Sequence, residues 1–198
     1  PWGTSNNINS FELKPNTVEP TDFIKSLDED HQKVMEFLEE GKKIRENFKL
    51  IEKNKKNDPI WLKENSLVLE LFEQGKIFYK KNKYKKAIKF FSGAIESDFI
   101  KFWNDNQIRD VFNLRGLSFH ALKKYNKAIS DYSLLLDHLP NSRTFINRGL
   151  SKYAKGDLGS AIRDFNKGIN LKGLSLYYFY RGKAKRDLKQ FESSLEDF

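Results

Sequence analysis

Through the second two thirds of the chain, apolar residues recur at helical spacing. Leu71, Phe72, Gly75, Phe78 and Tyr79 fall three and four apart, which puts them on one face of a helix. A polar turn follows at Lys81-Asn82-Lys83. A second stripe then begins at Ala87, Ile88, Phe91, Ala94 and Ile95. Downstream the alternation of stripe and turn returns, with Lys155-Gly156-Asp157 as another break. Two helices of about 13 residues and their turns fill a repeat of about 34.

The repeats share a register. Arg115-Gly116-Leu117-Ser118 recurs as Arg148-Gly149-Leu150-Ser151 and then as Arg181-Gly182-Lys183-Ala184, with the glycines 33 apart. A step back of 41 reaches Gly75, and the extra residues are expected in a linker over 99–106. Four residues before each glycine stands a large apolar residue: Leu71, Phe112, Phe145 and Tyr178. Twelve after it stands a small one: Ala87, Ala128, Ala161 and Ser194. Sixteen after it stands an aromatic: Phe91, Tyr132, Phe165 and Phe198. Small residues allow close helix approach, and the aromatics are expected to fill the space between neighbouring helix pairs. A single hairpin cannot bury both faces, so the units must stack.

From residue 68 to 198 this pattern resembles the tetratricopeptide-repeat family. The resemblance implies an all-α, right-handed solenoid of helical hairpins, with units at about 68–106, 109–141, 142–174 and 175–198, the last truncated. Some positions depart from the family pattern. Three after the glycine, Phe78 and Phe119 give way to Lys152 and Lys185. Late in the second helix the small residue is Ala94, then Leu135 and Gly168. The closing proline occurs once, at Pro140.

Residues 1–20 read as coil and 21–58 as a helical extension or cap, with Val34, Phe37, Leu38, Gly41, Ile44, Phe48 and Ile51 at helical spacing. Asp58-Pro59 reads as a helix start, and the repeat region is set at 59–198. The chain begins without Met and stops inside an expected helix, which reads as a fragment or a processed chain.

Composition narrows the chemistry. There is no cysteine, which excludes disulfides, thiolate metal sites and a thiol nucleophile. His31, His120 and His138 show no metal-ligand spacing, so neither metal nor cofactor is expected. Ser92, Ser118 and Ser151 have no identifiable base, and Gly156-Asp157-Leu158-Gly159 is too short for a phosphate loop. No apolar run is long enough to span a membrane. The chain therefore reads as a non-catalytic binding protein. Its compartment is not fixed by these features, with cytoplasm as the default.

The net charge of +9 is unevenly placed. Residues 1–58 hold ten Lys/Arg and twelve Asp/Glu, net −2, whereas residues 59–198 hold 26 and 15, net +11. Lys80, Lys81, Lys83, Lys85 and Lys86 cluster at the first interhelical turn. Lys123, Lys124 and Lys127 occupy the second turn, Lys155 the third and Lys189 the fourth. Stacked turns align these lysines into a basic rim.

The resemblance also implies a concave groove lined by the first helices. Its positions lie three before each glycine and one and four after it. Unit one places Phe72, Lys76 and Tyr79 there, and unit two Asn113, Leu117 and His120. Unit three gives Ile146, Leu150 and Tyr153, with Arg143 one turn earlier, and unit four Phe179, Lys183 and Arg186. The mixture of apolar and cationic groups suits an extended or helical peptide carrying acidic and apolar side chains. A second reading assigns nucleic-acid or anionic-surface binding to the rim. The family's carboxylate clamp for chaperone tails is disfavoured. From unit one its places hold Phe72, Lys76, Leu114, Arg143 and Asn147, where Arg143 alone fits. From unit two they hold Asn113, Leu117, Asn147, Leu176 and Tyr180, where Asn147 alone fits. Phe191, Leu195 and Phe198 are expected to form an uncovered face that favours self-association.

Overall fold

The structure is a computed structural model that describes residues 58–198, with Glu36 and Glu39 before them, both helical and exposed. The expected coil and most of the expected N-terminal extension lie outside the described residues. Eight α-helices follow in four hairpins: α1 (Pro59–Lys80) with α2 (Tyr84–Ile95), α3 (Asp105–Ala121) with α4 (Tyr125–His138), α5 (Ser142–Lys155) with α6 (Leu158–Leu171), and α7 (Ser175–Asp187) with α8 (Phe191–Leu195). No strand occurs among the described residues.

Helix starts follow local chemistry. Asp58 Oδ1 accepts the amide protons of Ile60 and Trp61 at 2.9 and 3.3 Å, and Pro59 fills the first turn, where its missing N–H costs nothing. Asn104 and Gln107 form a reciprocal capping box at α3. Asn141 caps α5 through the Thr144 amide, and Asp157 caps α6 through the Ser160 amide. The first helices end in four identical turns. The amides of Lys83, Lys124, Asp157 and Gln190 reach back five residues to a helix carbonyl, each at 2.9 Å. The residue before each of these is left-handed: Asn82, Lys123, Gly156 and Lys189, with φ of 56°, 59°, 95° and 64°. This is the six-to-one closure of a Schellman motif.

The glycine register sets the hairpin spacing. A Cβ on Gly75, Gly116 or Gly149 would lie 2.4, 2.7 or 2.6 Å from the ring of Phe91, Tyr132 or Phe165. Ala87, Ala128 and Ala161 are fully buried beside them. Gly168, in the late small position, lies against Ile146.

Beside that apolar seam runs a polar one. Arg115, Arg148 and Arg181, each just before its glycine, grip Asp131, Asp164 and Asp197 sixteen residues on. Each guanidinium also donates to the preceding hairpin, at Ser92, Ser133 or Asn166. One side chain thus ties three helices together, and the fork geometry of Arg suits that task. The expected departure three residues after the glycine has its reason here. Lys152 and Lys185 add a second cation to Asp164 and Asp197, each at 2.8 Å. In unit one Phe90 replaces the aspartate, and Phe78 stacks on it at 5.2 Å.

The extra residues of unit one do not form a surface linker. Asp98–Phe102 is a 3-10 helix, and Ile100 and Trp103 enter the core at 1% and 2% exposure. Trp103 packs 5.2 Å from Phe72. The residues inserted between units one and two therefore plug the gap between them.

Candidate functional site

The successive first helices α1, α3, α5 and α7 touch one another along the array, whereas contact between successive second helices is sparse. The first helices therefore form the tighter, inner layer. Side-chain links cross it. His120 Nδ1 lies 2.9 Å from Ser151 Oγ, between α3 and α5. The Tyr153 hydroxyl donates to Asp187, between α5 and α7, and the Lys183 ammonium sits 5.5 Å from the Tyr153 ring centroid.

Two expected groove residues belong to the core instead. Phe72 is 5% exposed, between the rings of Phe91 and Trp103. Ile146 is 3% exposed and packs with Phe165, Ile169 and Tyr177. The position three before the glycine turns into the seam between a hairpin and the next, so apolar residues there are packing residues. In unit two the same position holds Asn113, whose Oδ1 is buried without a partner among the described residues. In unit four it holds Phe179, 49% exposed.

The other groove candidates reach the surface. Tyr79, Leu117, His120, Leu150 and Tyr153 are half-buried, and Arg143, Lys183 and Arg186 are exposed. Burial lowers the His120 pKa below its ordinary value. Burial, then the neighbouring Asp187, raise that of Tyr153. Two acids that the sequence reading passed over temper the cations. Glu73 pairs with Lys76 at 2.5 Å, and Asp187 lies 3.4 Å from Arg186. The Tyr153 hydroxyl holds Asp187 below the usual carboxylate range, as does Arg186. The signal was present in the three-residue spacing of Glu73 and Lys76 and in the adjacency of Arg186 and Asp187.

The rim lysines are exposed, and the structure gathers them into two clefts. One, of about 330 Å³, is lined by Asn82, Lys83, Tyr84, Lys85, Lys86 and Leu122. The other, of about 240 Å³, is lined by Lys123, Lys124, Tyr125, Asn126, Lys127 and Lys155. Lys80 and Lys81 close α1 beside the first cleft. Lys189 lines neither and is followed by Glu192, while Asp157 caps α6. The positive edge is thus concentrated on the first two hairpins and does not run evenly along all four.

Among the described residues no cluster of three or more His, Asp or Glu could hold a metal, and no helix is long and apolar enough to cross a membrane. Phe191, Leu195 and Phe198 are 60%, 75% and 63% exposed on or beside α8.

A family model described as tetratricopeptide repeat matches residues 71–100. No curated protein matches the chain. Several solved structures are similar, two of them closely enough in fold to compare. The first TPR of Spaghetti (RPAP3), bound to the HSP90 peptide SRMEEVD, aligns with a TM-score of 0.51 at 22% identity, over 67% of this chain and 95% of that one. MamA (residues 41 to the end) from Desulfovibrio magneticus RS-1 aligns with a TM-score of 0.58 at 16% identity, over 88% of this chain and 90% of that one. At these identities the likeness speaks for the fold. In its glycine–aromatic register and its stacked hairpins the chain is thus similar to the tetratricopeptide-repeat family, whose model matches residues 71–100 and whose fold these structures share.

Proposed function

We propose that the chain is a non-catalytic scaffold that binds a peptide segment of a partner protein along the layer of first helices, and that the segment combines acidic and apolar side chains. The supporting observation is the surface formed by Leu150, Tyr153, Phe179, Lys183 and Arg186. It places an exposed aromatic, a half-buried aliphatic and unburied cations on neighbouring first helices. Lys183 makes no ion pair among the described residues, and its ammonium rests against the Tyr153 ring. It can therefore receive a carboxylate without first releasing one. Apolar anchors would carry the affinity, and Lys183 and Arg143 would set orientation and association rate.

The similar RPAP3 domain is bound to an HSP90 peptide, SRMEEVD, which supports a peptide as the partner segment. This chain would hold one differently, because Phe72 occupies a clamp position from inside the core and Leu114 another. An array of acidic–apolar and basic–apolar peptides tests the reading. Retention of acidic–apolar peptides is expected, with loss on Lys183→Glu and on Leu150→Glu and with the helical circular dichroism intact. Equal retention of basic–apolar peptides, or indifference to both substitutions, would overturn it.

A further inference from the structure

The lysine edge takes no part in that groove, and three observations give it a use of its own. The first is charge without compensation. From Lys76 to Ile95 the chain holds seven lysines and no acid, and from Arg115 to Ser130 one arginine, three lysines and no acid. Among the described residues Lys83, Lys85, Lys123, Lys124, Lys127 and Lys155 make no ion pair. A merely solubilising surface mixes both signs.

The second is shape. The lysines line two recesses that flank the α3–α4 turn, one on each side. Both recesses are shallow and open to solvent.

The third is the pairing of charge with aromatic rings. Each recess carries a tyrosine at the same repeat position, Tyr84 in Lys83-Tyr84-Lys85 and Tyr125 in Lys124-Tyr125-Asn126. Each ring is held edge-to-face against a first-helix ring, Tyr84 on Tyr79 at 5.8 Å and Tyr125 on His120 at 5.4 Å. The Tyr84 hydroxyl is further fixed to Asn82 at 2.7 Å.

We propose that this edge binds single-stranded nucleic acid, with phosphates on the lysines and bases against Tyr84 and Tyr125. A positively charged groove interleaved with aromatic rings is the arrangement that binds single strands without sequence readout. An acidic peptide would use the lysines and draw nothing from Tyr84 and Tyr125 beyond their packing on Tyr79 and His120. An anionic membrane would favour protruding apolar side chains, and the one aliphatic side chain in the recesses, Leu122, is half-buried.

The test uses the full chain and a labelled oligouridylate of about 12 nucleotides, read by fluorescence anisotropy. Binding is expected to weaken linearly in log–log form with salt. Lys85→Glu, Lys124→Glu and Lys127→Glu together should weaken it by well over about tenfold. Tyr84→Ala with Tyr125→Ala should weaken it by about tenfold or more and leave binding of inorganic polyphosphate unchanged, while Tyr→Phe at both positions restores the oligonucleotide affinity. Lys183→Glu should not alter it, which separates this reading from the groove. The proposal is overturned if the oligonucleotide fails to bind at about 50 mM salt. It is equally overturned if the Tyr→Ala pair leaves its affinity unchanged, or if phosphatidylserine vesicles, polyglutamate or polyphosphate bind more tightly than the oligonucleotide.

Discussion

Replacing Tyr132 with phenylalanine should make the protein more stable. Tyr132 is fully buried, and its hydroxyl has no hydrogen-bond partner among the described residues. Burial pushes its ionisation far above the ordinary tyrosine range. The equivalent residues in the other hairpins are Phe91, Phe165 and Phe198, so the site needs a ring and not a hydroxyl. A buried polar group left unpaired costs about 1–3 kcal/mol. Removing one oxygen leaves a space of about 10 Å³, and at about 24 cal/mol per Å³ that loses about 0.2 kcal/mol. The expected net gain is about 1 kcal/mol, which for a chain of this size raises the melting temperature by about 2–4 °C. Urea unfolding followed by far-ultraviolet circular dichroism measures it, with an unchanged m-value showing that the same surface is buried. A loss of about 0.5 kcal/mol or more would show that the hydroxyl is bonded in solution and that the reasoning fails.

Asp164→Ala should cost about 3–5 kcal/mol in the same assay, because it leaves Arg148 and Lys152 facing each other in a buried site; Asp131→Ala, which strands Arg115 alone, should cost less. Gly149→Ala should cost about 1–3 kcal/mol through collision with the Phe165 ring, whereas Gly159→Ala, whose new Cβ meets nothing nearer than 3.9 Å, should gain up to about 1 kcal/mol. Burial lowers the His120 pKa below 6.5, so the unfolded chain takes up the proton first as pH falls. Its contribution is therefore complete above about pH 6.5 and declines below, and His120→Gln should flatten the stability profile from about pH 5 to 7.

The seam within each hairpin was legible because its chemistry is strictly periodic, although the aromatics close it inside a hairpin and not between neighbouring ones. A glycine, a small residue and an aromatic at fixed offsets describe a close helix approach, and the contacts of Gly75, Gly116 and Gly149 follow that register. The arginine–aspartate seam was equally periodic, at Arg115 and Asp131 and their counterparts, but charged residues on helices read as surface until their partners are seen. The groove was less legible. Phe72 and Ile146 share a helical stripe with exposed residues, and one step of helical phase decides between core and surface. The stripe gives the face, and the neighbouring hairpin decides which of its members remain open. Trp103 escaped for a different reason, since an insertion has no counterpart in the other units from which its burial could be inferred.

Lys123 brings stability and binding into direct opposition. It is left-handed, with φ 59°, at the turn position where the third hairpin has Gly156 at 95°. A side chain there costs about 1–2 kcal/mol relative to glycine, partly offset by the greater unfolded-chain entropy of glycine, about 0.5–1 kcal/mol. Lys123→Gly should therefore stabilise the fold by about 0.5 kcal/mol. The first hairpin reduces the same strain with Asn82, a residue that tolerates the left-handed region. Lys123 does not reduce it, and it lines the smaller recess with Lys124, Lys127 and Lys155. If the edge binds single strands, Lys123→Gly should melt later yet bind oligouridylate more weakly, with a salt slope reduced by about one. Lys123→Arg should keep the slope and gain no stability. A Lys123→Gly variant that is stabilised and binds as before would show that the charge at this turn serves no ligand.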